Sequence, residues 1–181
     1  MKAFSRQEIL SVIVIFFVLF LVSVPNFTVA WQRSRDVTRK DDLGFMLKAL
    51  DSFINNSNSF PLGTDAGEII ACFKDGEDPE YDDMGNIINF VPCRWGEGSF
   101  LGNLPNDPQE DKGMTYFYVS NGRRYQIFGS LERTDQDEYD PKVAARKIGC
   151  GARICNFGRA YSNTPLDKTL TEYENEMDAK K

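Results

Sequence analysis

From Ile9 to Gln32 the chain runs 24 residues without a charge, and Val12 to Val22 is wholly valine, isoleucine, phenylalanine and leucine. A helix of that length rises about 36 Å, more than the roughly 30 Å of a bilayer's hydrocarbon core. A segment apolar on every side has no polar face to turn to water, so it calls for lipid around it. A cleaved signal peptide has a shorter apolar stretch and a small-residue site on its far side. Here the small residues Ser23, Thr28 and Ala30 are interrupted by Pro25, Asn26 and Phe27. The segment therefore reads as a retained anchor.

With so much apolar residue gathered at one end, a mean hydropathy of -0.40 means that the rest of the 181 residues is polar. That length gives one ordinary domain plus an accessory element. A net charge of -6 and a pI near 4.8 exclude a body that grips nucleic acid, which needs a basic surface to displace counterions. There is no histidine. The commonest general base and metal ligand are thus missing, which removes His-dependent triads and most zinc catalysis. The sequence is expected not to be an enzyme.

Ahead of the apolar run, Phe4-Ser5-Arg6-Gln7-Glu8 puts a carboxylate at the mouth of the membrane segment. A charge carried into lipid costs roughly 2.5–3.5 kcal/mol or more, so it usually has a partner or a use. Read from the residue alone, Glu8 sits in the first turn, where its charge suits the helix macrodipole. The pattern also resembles the prepilin leader of the type IV pilin and pseudopilin family. That resemblance implies a leader over 1–3, cleavage between Ala3 and Phe4 by a prepilin peptidase, and a freed, often methylated, ammonium group on Phe4. Glu8 would then be the fifth residue of the processed chain and an assembly residue, neutralising the Phe4 ammonium of a neighbouring subunit. Pro25 falls where that family's helix commonly has its proline.

Beyond the span (4–31), Leu43, Met46, Leu47, Leu50, Phe53 and Ile54 recur at helical spacing and predict an amphipathic continuation over 32–58. Arg35, Arg39 and Lys40 alternate with Asp36, Asp41 and Asp42, a pattern that reads as a solvated helix face with i to i+4 pairs. Asn55-Asn56-Ser57-Asn58-Ser59, followed by Pro61 and Gly63, ends the helix. This stretch, then Leu104-Pro105-Asn106-Asp107-Pro108, Tyr116-Phe117-Tyr118 and Tyr125 to Leu131, is similar in order to the major pseudopilins of type II secretion and their relatives in type IV pili.

A head over 59–163 and a terminal helix or tail over 164–181 complete the expected organisation. Met114 to Val119 and Arg124 to Leu131 flank Asn121-Gly122 and predict a β-hairpin. A third strand is expected near Arg153 to Phe157, residues 68–110 read as an inserted loop region, and Thr164-Pro165 reads as the start of the last helix. The expected fold class is α+β: a long N-terminal helix, membrane-spanning in its first half, packed on a small antiparallel sheet, as in pilins. Cys72, Cys93, Cys150 and Cys155 make an even count in polar surroundings, which favours two disulfides and an oxidising compartment. Of three connectivities, Cys72 with Cys93 and Cys150 with Cys155 close the shortest loops. A four-cysteine zinc site lacks the usual two-residue spacing. After the hairpin, Asp135, Asp137 and Asp140 supply oxygens at a spacing that suits either a calcium ion or a solvated acidic loop. Major pseudopilins often hold calcium in such a loop.

Basic residues flank the span on both sides, Lys2 and Arg6 against Arg33, Arg35, Arg39 and Lys40, so orientation rests on the cysteines, which place the head outside the cytoplasm. The resemblance implies a structural subunit of a type IV pilus or type II secretion pseudopilus. Its partners would be other copies of itself, minor pilins, the prepilin peptidase and inner-membrane assembly machinery. It would sit in the membrane before assembly and in a surface or periplasmic filament after it, with no nucleic acid and no required cofactor. The alternative is a single-pass anchored binding or adhesion module that does not polymerise. A third reading, an anchored hydrolase using Asp82 and Asp83, has no motif behind it.

Overall fold

The computed structural model describes residues 5–74, 77–83 and 87–180; Ala3 and Phe4 lie outside them. Helix α1 (Arg6–Ser57) is unbroken over 52 residues. It begins at Ser5, whose hydroxyl and the Glu8 carboxylate form a capping box, and ends at Asn58, which takes the left-handed conformation (φ 56°) that releases the chain from the helix. It runs through Pro25, which has no N–H to offer the preceding turn. It is long and apolar enough to cross a membrane.

The rest is built of small antiparallel sheets, so the architecture is α+β, as expected. Strand β1 (Ile69–Cys72) pairs with β2 (Val91–Cys93), and β3 (Gly98–Ser99) with β4 (Gly102–Asn103). A turn of 3-10 helix at Glu110–Lys112 leads to β5 (Phe117–Ser120) and β6 (Tyr125–Gly129). Helix α2 (Pro141–Ala145), the tight hairpin β7 (Gly149–Cys150) and β8 (Arg153–Ile154), strand β9 (Phe157–Ala160) and helix α3 (Leu170–Asp178) follow. The main sheet has the order β5-β6-β9.

Strand β6 is buried at every position because both its faces are covered. Tyr125 and Ile127 pack with Leu43, Met46 and Leu50 of α1, so the periodic stripe faces the sheet as its spacing predicts. Phe128 packs on the opposite face with Val143, Cys150 and Cys155.

Four expectations change in detail. The third strand is Phe157–Ala160 rather than 153–157, because Arg153–Ile154 is spent on its own hairpin with Gly149–Cys150. The β5–β6 connection is a four-residue Asx turn: the Asn121 side-chain oxygen accepts from the Arg123 and Arg124 amides at 3.1 and 2.9 Å, and Gly122 alone takes a positive φ. Within 68–110 the chain forms two small strand pairs instead of a loop. The last helix starts at Thr169, with a Thr169–Glu172 capping box, not at Thr164. The intervening carbonyls are already used: those of Pro165 and Lys168 accept from the buried Gln126 amide, and that of Leu166 accepts from Arg146 at 2.7 Å.

Candidate functional site

Among the described residues, the apolar stretch Ile9 to Val24 of α1 is not covered by the head. Its side chains from Ile9 to Val24 are exposed, with Phe16 at 69 % and Phe20 at 65 %. Its few polar groups are turned inward on the helix. The Ser11, Ser23 and Thr28 hydroxyls and the Asn26 amide each donate to the carbonyl four residues back, at 2.7–3.3 Å, which removes unpaired donors from an apolar surface. At the tip, the Ser5 amide donates to Glu8 Oε2 at 2.7 Å, and the Glu8 amide donates to Ser5 Oγ at 3.3 Å. In a single copy, then, the glutamate has a local partner.

Where α1 meets the head, the charged stretch is only partly solvated, with Asp41 exposed but Asp36 and Arg39 buried, which corrects the reading of it as a wet helix face. Arg39 and Asp36 are fully buried. Arg39 forks onto Asp107 through two bonds of 2.7 and 2.9 Å and also donates to Asp36 at 3.0 Å, Glu132 at 3.1 Å and Gln109 at 3.1 Å. Asp36 accepts the backbone amides of Glu132 and Arg133, at 2.8 and 3.1 Å, and the Gln136 side-chain amide at 2.6 Å. A helix residue thus caps the loop that leaves the β6 end of the sheet. Arg35 forks onto Glu132 at 2.5 and 2.7 Å, and Lys40 reaches Gln136 and Glu138. One turn further on, the Tyr116 hydroxyl donates to Asp42.

Buried charges survive only when both partners are present and well hydrogen-bonded, so this network fixes the helix to the head in one register. Burial alone would raise the Glu132 carboxyl, but the Arg35 and Arg39 guanidinium groups outweigh it and hold the group below its ordinary 4.5. Burial pushes the Asp42 carboxyl up against the opposing pull of the Tyr116 hydroxyl, and burial, reinforced by Asp42, pushes the Tyr116 phenol up. For Glu132 the folded value is depressed, so its stabilisation is complete above about pH 4.5 and is lost as pH falls through the lower folded value. Acid unfolding of the full chain should accordingly steepen below pH 4.5, and Glu132→Gln should flatten that part of the curve; an unchanged profile would remove Glu132 from the clamp.

The acidic loop after β6 does not gather its carboxylates. Asp135 is held by Arg133, and Asp140 is the N-cap of α2, accepting from the Lys142 amide at 2.8 Å. Among the described residues no three acidic or cysteine side chains, Asp135, Asp137 and Asp140 included, converge on a point where a metal ion would sit. The cysteines pair as Cys72–Cys93 and Cys150–Cys155. Sequence reasoning missed the buried network, because alternating charges on a helix look the same whether water or a second layer faces them. A signal was present in Asp107, which sits in a proline-flanked turn between apolar residues.

A groove of about 530 Å³ lies at the far end of α1 between Phe53, Phe60, Leu62 and Phe90. Its lining is mostly apolar, with Ser57, Asn58 and Ser59 on one side, and among the described residues no titratable side chain lines it. Comparison with protein-family models, curated proteins and solved structures finds no match to this chain.

Proposed function

We propose that the chain is a structural subunit of a membrane-derived filament of the type IV pilin and pseudopilin kind. One observation carries this reading: a single unbroken helix is apolar and uncovered on all sides in its first half, and clamped by buried ion pairs to a disulfide-stapled head in its second. A simple tether needs no rigid connection between span and head, whereas a subunit that stacks through its helix transmits its position to the head only if the two move as one body. The anchor holds the subunit in the membrane until assembly, with the head outside the cytoplasm, where disulfides persist. Assembly then exchanges lipid for the helices of other copies. The partners of this reading are the prepilin peptidase, the membrane assembly machinery, minor subunits and the chain itself.

The second reading is an anchored binding module that stays single. It is favoured by the Glu8–Ser5 capping box, which satisfies Glu8 without a neighbour. Intact-mass and N-terminal analysis of protein from its native membrane separates the two. The filament reading expects a chain beginning at Phe4, with or without a methyl group on its amine. A chain that retains Met1 would overturn it in favour of the single module.

A further inference from the structure

The two ends of the head carry opposite charge. At the end of α1, the groove of about 530 Å³ leaves Leu62 and Ile88 53 % and 62 % exposed. Its edge is acidic. Glu80 accepts the Ile88 amide at 2.9 Å through its carbonyl, and Tyr81 bridges Ile87, so the segment carrying Glu77, Asp78, Glu80 and Asp83 borders the groove. At the other end stands the β7–β8 hairpin with Ile154 48 % exposed at its base, opposite Gly149, and Arg153 and Lys147 exposed beside it. In a chain of charge -6, Pro141 to Ala160 holds five basic residues and no acidic one.

The hairpin is stiff. The Cys150–Cys155 disulfide closes its base, and Gly151 (φ 73°) occupies a turn where a Cβ would fall 1.9 Å from the Gly113 carbonyl oxygen. The Ala152 amide donates to that same oxygen at 2.9 Å.

The two features cannot meet within one molecule. Asn156, next to Cys155, exchanges hydrogen bonds with Leu131 at 2.7 and 2.9 Å, beside the Glu132 that binds Arg39. The hairpin therefore belongs to the Arg39 level of α1, while the groove begins at Phe53, a helix rise of about 21 Å away. We infer that the β7–β8 hairpin of one copy docks in the groove at the end of α1 of a second copy, Ile154 entering between Leu62 and Ile88 while Arg153 and Lys147 face the acidic edge. Opposite charge at the two surfaces orients this encounter and disfavours like-to-like contact. Because the two surfaces differ, the contact is heterologous, and in a filament, where its rotation does not close into a ring, it repeats from copy to copy. This contact rests on the filament reading and supplies its head-to-head interface.

The test places a photoreactive benzoylphenylalanine at position 154 of the full-length chain in its native membrane, with a second strain carrying it at position 20 in the anchor. The expected product from position 154 is a crosslink to the peptide of another copy that holds Ile87, Ile88 and Phe90. Lys147→Glu with Arg153→Glu should lower its yield at least fivefold, and adding Glu77→Lys with Glu80→Lys should restore it. Self-crosslinking from position 20 without that product from position 154 overturns the docking and leaves the filament. Self-crosslinking from neither position overturns both. Crosslinks from position 154 only to lipid or to a different protein overturn the docking. All four changed side chains are exposed, and an unchanged melting temperature of each variant excludes misfolding as the cause.

Discussion

Replacing Arg39 with methionine should destabilise the head by about 3–5 kcal/mol, because it leaves buried carboxylates without their counter-charge. Asp107 and Asp36 are both within 3 % of complete burial and lose, respectively, two bonds and one. For a chain of this size each kcal/mol moves the melting temperature by roughly 2–4 °C, so the fall should be about 10 °C in the detergent-solubilised full chain. Arg35 provides the contrast. Its side chain is 25 % exposed and bonds only Glu132, which keeps Arg39 as a second partner, so Arg35→Met should cost about 1 kcal/mol. Adding Asp107→Leu to Arg39→Met should recover part of the loss, since an apolar pair of similar volume is often no worse than a buried ion pair. Equal small shifts for Arg39→Met and Arg35→Met would show that the network does not clamp helix to head.

This network also marks the boundary of what was legible in the sequence. The stripe Leu43, Met46, Leu50 was readable because apolar residues at helical spacing have one physical use, and the structure buries all three. The hairpin was readable from Asn121-Gly122, although its turn type was not, since the Asn121 side chain, and not two left-handed residues, closes it. The disulfide pairs followed the shortest loops because strands β1 and β2 and hairpin β7–β8 form those loops locally. By contrast, nothing local says whether Arg39 meets water or Asp107, 68 residues on. The start of α3 failed for a related reason: Thr164-Pro165 is a good local cap, but the carbonyls that would have carried the first turn accept from Gln126 and Arg146 of distant elements. In the acidic loop, Arg133 binds Asp135 and Asp140 caps α2, pairings that the spacing of the carboxylates alone does not reveal.

Glu8→Ala should reduce assembled filament at least tenfold while leaving membrane insertion and the melting temperature of the head unchanged. If the processed chain begins at Phe4, each subunit carries an ammonium group into the apolar core of the filament, and a lone charge there costs roughly 2.5–3.5 kcal/mol on the lower scale. A factor of ten in an equilibrium needs only about 1.4 kcal/mol, and the cost recurs with every subunit added. The capping box supplies the control that separates this role from helix capping. Ser5 and Glu8 satisfy each other's amides, so a glutamate whose only work is the cap should be no more sensitive than Ser5. Losing a cap costs about 0.5–2 kcal/mol of local helix stability, and at the frayed end of a 52-residue helix it leaves the rest of α1 intact. Sedimented or surface-sheared polymer should then be near normal for Ser5→Ala and nearly absent for Glu8→Ala, with Glu8→Gln close to the alanine variant because the amide keeps the shape but not the charge. Equal, mild effects of Ser5→Ala and Glu8→Ala would assign Glu8 to the cap and leave the anchored single module as the better account of the chain. Loss in Glu8→Ala alone would mean that the carboxylate leaves Ser5 on assembly and finds the neighbour's ammonium, which makes the helix tip the point where a membrane-held subunit becomes part of a filament.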